Sequence, residues 1–235
     1  MLERIIIDET ELLSGGTLRL VQRGEEFVIM LYRAREGWTE LMSSRRGGSE
    51  AALATEALKG TAADAHVLIG GLGMGVTLRQ ALSLVGKKAR VVVAELVPEV
   101  VQWAKGPMKG VFDGALDDPR VRIVIDDVAL VLEDVPEGGA SGGARGYDAI
   151  LLDVDNGPDG LTQAANSGLY STRGLSRAKK ALAPGGVLAI WSANDDPRFT
   201  RRLQQVGFAV ETSVHRSGAR GRGARHIIWL ARRAS

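Results

Sequence analysis

The stretch VLIGGLGMGVTLRQAL, residues 67–82, decides the fold. Val67-Leu68-Ile69 is a short apolar run bounded by glycine, the pattern of a fully buried strand. Gly70-Gly71-Leu72-Gly73-Met74-Gly75 follows directly, and Val76 to Val85 then takes up helical spacing. Glycines in a strand-to-helix turn let the backbone bend sharply and approach a ligand, while the first amides of the helix point outward unpaired. A dinucleotide fingerprint, G-x-G-x-x-G, would need Gly or Ala where Val76 stands. Gly71, Gly73 and Gly75 instead form G-x-G-x-G, which favours a nucleoside such as S-adenosylmethionine over NAD.

Working outward, the same alternation repeats. Apolar runs at Val91 to Ala94, Val121 to Ile125, Ala149 to Leu152 and Val187 to Trp191 are separated by helical segments at Pro98 to Lys105, Val128 to Glu133 and Ser171 to Leu182. Continuous apolar strands are expected where helices cover both faces of a parallel sheet. The last helix of this series should stop at Ala183-Pro184-Gly185-Gly186. Beyond it, a helix from Pro197 to Val206 and two strands, Phe208 to Val214 and Ile227 to Ala231, read as a late hairpin closing a seven-stranded, mostly parallel α/β sheet. Glu137 to Gly146 reads as a surface loop.

Upstream the style differs. Thr17 to Met42 holds short strand-like runs divided by Arg23-Gly24-Glu25 and Arg35-Glu36-Gly37, a small antiparallel meander. Glu50 to Leu58 is helical. The expected division is a β-domain over 1–48 and a nucleoside-binding α/β domain over 49–235. Met1 to Asp8 carries Ile5-Ile6-Ile7 between charges, too short for a secretory h-region.

Acids recur at the carboxyl ends of successive strands: Glu95, then Asp126 and Asp127, then Asp153 and Asp155. In an open parallel sheet those ends share the ligand-binding edge. A carboxylate such as Glu95 offers two oxygens to two ribose hydroxyls, and Asp127 can accept from an adenine amino group. Helix capping is the plainer reading for Asp126 and Asp195.

The segments 67–82, Glu95-Leu96-Val97-Pro98-Glu99, Asp118-Pro119-Arg120-Val121, Tyr147 to Asp153 and Leu169-Tyr170 together resemble the spermidine/spermine synthase family. The resemblance implies the class I methyltransferase (Rossmann-like) fold behind a small β-domain. It also implies transfer of an aminopropyl-type group from decarboxylated S-adenosylmethionine to an amine. Position by position, it makes Gly71, Gly73, Met74 and Gly75 the nucleoside loop, Glu95 the ribose acceptor and Asp127 the adenine-side acid. Asp153 receives the attacking amine, with Asp155 beside it, and Glu50, Asn156 and Tyr170 contact the acceptor. The sequence departs from the family pattern in three places. Met74 stands where the family has an acid facing the aminopropyl ammonium, Gly48-Ser49-Glu50 replaces Tyr-His-Glu, and Asn156 replaces a second acid. Without the acid at Met74 the carboxylate of intact S-adenosylmethionine is not repelled, so methyl transfer is the alternative chemistry. A non-catalytic nucleoside-binding scaffold is the third.

Composition narrows the field further. The chain has 235 residues, 30 basic against 28 acidic and no cysteine. Thiolate metal sites, disulfides and a cysteine nucleophile are excluded, and a cytoplasmic location fits. The histidines at 66, 215 and 226 lack metal-ligand spacing, so no metal is expected. The Arg/Gly-rich run 216–225 could meet RNA phosphates, but without interleaved aromatics a solvated hairpin loop is the simpler reading. No membrane partner is expected, and dimers are common in the resembled family.

Overall fold

The computed structural model describes residues 3–13, 15–133, 146–154, 168–218 and 223–235. Strands β1 (Arg4–Glu11), β2 (Thr17–Arg23), β3 (Glu26–Arg33) and β4 (Gly37–Ser43) form an antiparallel meander in chain order. Gly24 and Gly37 take positive φ in its tight turns. Leu18, Leu20, Ile29 and Leu31 alternate onto one buried face. β1 extends the meander beyond the sequence reading, which began at Thr17. Ile5 and Ile6 are half exposed, so their run carries no burial pattern to read. A bulge between Ile6 and Asp8 turns Asp8 toward the rest of the molecule.

Helix α1 (Gly48–Ala57) leads into the large sheet. Its chain order is β5 (His66–Gly70), α2 (Val76–Leu84), β6 (Arg90–Glu95), α3 (Pro98–Lys105), the single turn α4 (Lys109–Phe112), β7 (Val121–Ile125), α5 (Val128–Val131) and β8 (Tyr147–Leu152). It continues with α6 (Thr172–Ala181), β9 (Leu182–Ser192), α7 (Pro197–Gln205), β10 (Ala209–Arg216) and β11 (Arg225–Arg232). The spatial order is β10-β11-β9-β8-β5-β6-β7, parallel from β9 through β7 and antiparallel at β11 and β10. This is the class I methyltransferase-like α/β sheet expected from the sequence.

Alternation within the apolar runs explains why they are continuous. Val67 and Ile69 of β5, with Ala149 and Leu151 of β8, point into one apolar cluster, which also takes in the buried face of the meander. Leu68, Ile150 and Leu152 point into a second cluster, beneath α6 and α7. Both faces are covered, so every position is apolar. Among the described residues no helix is long and apolar enough to cross a membrane.

Two local readings change, and one segment gains a structural role. Leu182 already belongs to β9 and pairs with Tyr147, so Pro184-Gly185-Gly186 lies at an irregularity inside a strand and not after a helix. The acids that cap helices are Asp127, which accepts from the Ala129 amide at the start of α5, and Asp196, which accepts from Arg198 at the start of α7. The sequence reading had placed the caps one residue earlier in each case. The Asp118-Pro119-Arg120 segment is a clasp. Arg120 forks onto both Asp118 oxygens (2.9 and 2.8 Å) and donates to the carbonyls of Leu82, Val85 and Gly86 at the end of α2.

Those carbonyls lose their α-helical partners at a helix terminus, and one guanidinium satisfies three of them. Arg120→Ala is therefore expected to reduce the unfolding free energy by about 2 kcal/mol, the scale for charge-assisted hydrogen bonds. Urea denaturation measures it; a loss under about 0.5 kcal/mol would place this clasp with ordinary surface ion pairs.

Candidate active site

β5 lies at the point where the chain reverses its direction of travel across the sheet: β6 and β7 lie to one side, β8 and β9 to the other. Its carboxyl end is tied to both neighbours, Gly71 N–H to the carbonyl of Ala94 (2.8 Å) and Asp153 N–H to the carbonyl of Gly70 (3.0 Å). The glycine loop begins in this crowded place. Gly71 has φ +88°, and a Cβ there would stand 2.6 Å from the Asp153 carbonyl; at Gly75, φ +68°, it would stand 2.3 Å from the buried Phe112 ring. Side chains are excluded at both positions by backbone conformation and by space.

Glu95 ends β6 and is 8% exposed. Its Oε2 accepts from the Leu72 amide and its Oε1 from the Val97 amide, both at 2.9 Å. Burial raises its pKa above the usual carboxylate value, and the amides of Leu72, Val97, Gly73 and Leu96 oppose that rise. Each oxygen has capacity for a second donor. Asp127 spends Oδ1 on the α5 cap (2.8 Å), and Asp126 accepts from the Asp127 amide. Both line the cleft.

Asp153 follows β8 and faces α1 and α2. Thr77 donates to its Oδ2 at 2.9 Å and approaches the Glu50 carbonyl at 3.4 Å. Burial first, and the nearby Glu50 carboxylate second, push Asp153 up to about 7, against the Thr77 hydroxyl. Glu50, in the first turn of α1, accepts from the Ser49 hydroxyl at 2.6 Å. Ser49 in turn meets Nδ1 of His226 at 2.9 Å. The His226 ring packs against Trp191, centroid to centroid 4.6 Å.

These groups share one cleft, roofed by Leu18, Ile29, Leu31, Leu41 and Met42 of the meander and floored by the glycine loop. Glu50, Glu95, Asp126, Asp127 and Asp153 supply carboxylates; Arg46 supplies a guanidinium and pairs with Glu40 at 3.2 Å. An apolar roof over clustered acids suits a ligand that is cationic and partly apolar.

Of the residues expected from sequence, Gly71, Gly73, Met74, Glu95, Asp127, Glu50 and Asp153 line this cleft, and Gly75 caps α2 behind it. Met74 is buried, with its carbonyl held by Arg79. Tyr170 belongs to the second apolar cluster, edge-on to Phe199 at 5.8 Å. Asp155 and Asn156 lie outside the described residues, as does the middle of the 216–225 run. Sequence reading missed Thr77, Ser49 and His226. Thr77 stands next to the glycine loop at the start of α2, where a hydroxyl could have been noticed; His226 has no local signal. Among the described residues no three His, Asp or Glu side chains converge as metal ligands.

A sheet of this order, with a glycine loop after its central strand and acids along its carboxyl edge, defines a class I methyltransferase-like protein by its fold. The model of the spermine/spermidine synthase domain matches residues 51–205, more than half of the chain, which therefore belongs to that family. Over 150 residues the chain is 36% identical to the polyamine aminopropyltransferase of Mycobacterium tuberculosis, taking in 61% of this chain and 27% of that protein. Polyamine aminopropyltransferase 2 of Pseudomonas aeruginosa is 34% identical over 156 residues, 63% of this chain and 40% of that one. The chain thus spans roughly a quarter to two fifths of the length of these relatives. The crystal structure of spermidine synthase from Thermotoga maritima superposes with a TM-score of 0.70 at 18% identity, covering 97% of this chain and 72% of that one. A spermidine synthase in complex with the transition-state analogue AdoDATO gives 0.69 at 19%, with the same coverage. At these identities the likeness is one of fold.

The raised pKa of Asp153 makes stability depend on pH. Unfolded, the group titrates near 3.8, and folded near 7. Between those values the native state holds the extra proton, so stability falls as pH rises through the window. Asp153→Asn removes the partly desolvated charge. It should be more stable than the unsubstituted protein near pH 8, by about 2–4 kcal/mol, and equal to it near pH 4; denaturant melts at both pH values check this, and a pH-independent difference would contradict it.

Proposed function

We propose that the cleft binds an adenosyl sulfonium, decarboxylated S-adenosylmethionine, and transfers its aminopropyl group to an amine. The observation that carries this reading is the half-buried Asp153 beside Glu50, next to a glycine loop clamped by a ribose-competent carboxylate. The curated relatives bear the name polyamine aminopropyltransferase, which supports the same choice.

The chemistry follows from the groups present. An amine attacks only with a free lone pair, and near neutral pH most amines are protonated. A carboxylate near pH 7 in its own titration can take the proton and orient the lone pair. The nitrogen then displaces sulfur in line. The N–C bond forms, the C–S bond breaks with its electron pair going to sulfur, and a neutral thioether nucleoside leaves. The alkylated nitrogen keeps its remaining protons as a secondary ammonium, and the single proton released is the one that the Asp153 carboxylate took before the attack. The sulfonium needs no activation, so the protein's work is positioning and exclusion of water, which the meander roof supplies. Glu95 receives the ribose hydroxyls on the free capacity of its two oxygens, and the second oxygen of Asp127 faces the adenine amino group.

One observation favours a second reading, methyl transfer from intact S-adenosylmethionine. Met74 puts a thioether in the cleft wall where an acid would repel the methionine carboxylate, and Arg46 adds a cation to the same cleft. Calorimetry with both donors, followed by mass analysis of products on a panel of polyamines and small amines, separates the two. Binding of the decarboxylated donor with a product heavier by one aminopropyl group supports aminopropyl transfer; a methylated product supports the alternative.

Two variants test the assigned roles. Glu95→Gln should weaken donor binding about 10- to 100-fold, the loss of hydrogen bonds to a charged group. Asp153→Asn should lower turnover about 10²- to 10⁴-fold with donor affinity nearly unchanged. Full turnover by Asp153→Asn would remove that carboxylate from the chemistry.

A further inference from the structure

Ser49 is completely buried, and a buried hydroxyl is kept only where both its donor and acceptor capacities are used. Here both are. The Ser49 O–H donates to Glu50 Oε2 at 2.6 Å, which leaves the oxygen to accept from His226 Nδ1 at 2.9 Å. The direction of the first bond fixes the second, so Nδ1 carries the hydrogen and the chain runs Nδ1–H to Oγ–H to carboxylate. The backbone reinforces it: Gly48 N–H bonds to the carbonyl of Ser217 at 3.0 Å, where β10 ends. The start of α1 has no side-chain cap of its own and is fastened to the β10–β11 hairpin at these two points.

We infer that His226 and Ser49 are positioning residues, which hold the Glu50 carboxylate in one orientation at the acceptor end of the cleft so that its charge bears on Asp153. The inference rests on the transfer reading above and adds residues from β11 to it. The charged and titratable groups around Glu50 are Asp153 after β8, His226 on β11 and Arg46 ahead of α1. One to two turns further along α1, Glu56 stands 3.7 Å from His215 of β10. Arg79 of α2 is engaged elsewhere, on the carbonyls of Met74 and Val111. Burial lowers the pKa of His226, and Glu50 partly restores it, so near neutral pH the ring is uncharged and works as a hydrogen-bond donor. Glu50 correspondingly raises Asp153. Without the Ser49 bond the Glu50 carboxylate is no longer held toward Asp153, whose pKa then falls part of the way while burial keeps it raised.

The test compares Ser49→Ala, His226→Phe and His226→Asn in the full chain, with transfer to an amine followed across pH 5.5–9. Phe keeps a ring against Trp191 and loses the donor; Asn keeps an N–H near the position of Nδ1. Ser49→Ala and His226→Phe should each lower kcat about tenfold, move the acid limb of the profile to lower pH and leave donor affinity unchanged. His226→Asn should recover most of the rate. A His226→Phe profile like that of the unsubstituted protein, or His226→Asn failing as badly as Phe, overturns the inference. A second measurement needs no turnover. The chain has three histidines, so the imidazole of His226 can be followed alone by NMR titration. Glu50→Gln should lower its pKa, because the carboxylate that favours the imidazolium is gone. An unmoved His226 titration overturns the bridge even if transfer is observed, whereas a moved one with no transfer to any amine counts against the transfer reading alone.

Discussion

The carboxylate of Glu95 organises the carboxyl edge of the sheet. It is buried at the end of β6, where an ionised group is costly unless fully hydrogen-bonded, and it is satisfied by amides on either side, Leu72 in the glycine loop and Val97 before α3. One side chain therefore sets the distance between the ends of β5 and β6. Protonation would turn one oxygen into a donor facing an amide, so the loop geometry and the ionised state require each other. Whatever ligand the loop receives meets amides that are already oriented, and little ordering remains to be done on binding.

The second constraint is the meander. Its apolar face forms one wall of the cleft that Glu50, Glu95, Asp126, Asp127 and Asp153 line, and Glu95 is the most buried of these. Asp8 of β1 accepts from the indole of Trp103 in α3 at 2.7 Å, tying the roof to the body of the large sheet. Desolvation is also the main reason Asp153 is pushed up to about 7. Stability at neutral pH is given up at that position.

Much of this was legible in the sequence, for physical reasons. Strands covered on both faces must be apolar throughout, so β5, β6, β8 and the core of β9 stood out, and the glycine loop followed from the need for positive φ beside a crowded strand end. Glu95 and Asp153 were visible because acids in phase with parallel strands converge on one edge. β1 was not visible, since an edge strand with exposed isoleucines carries no burial signal. Capping was read one residue early at both Asp126 and Asp195, because adjacent aspartates look alike until φ and ψ decide which one turns back to the helix. His226 was unreadable for a different reason: it reaches Ser49 from 177 residues away. The ring arrives at the start of α1 by way of the sheet instead of the local chain.

That long-range fastening bears on how the molecule is made. Helix α1 forms early in synthesis, but the Ser217 carbonyl and the His226 ring that hold its first turn belong to the β10–β11 hairpin, made long after it. Contacts of such separation close slowly, because the intervening chain must be ordered first. The first turn of α1 can therefore take its final hold only once the hairpin has been made.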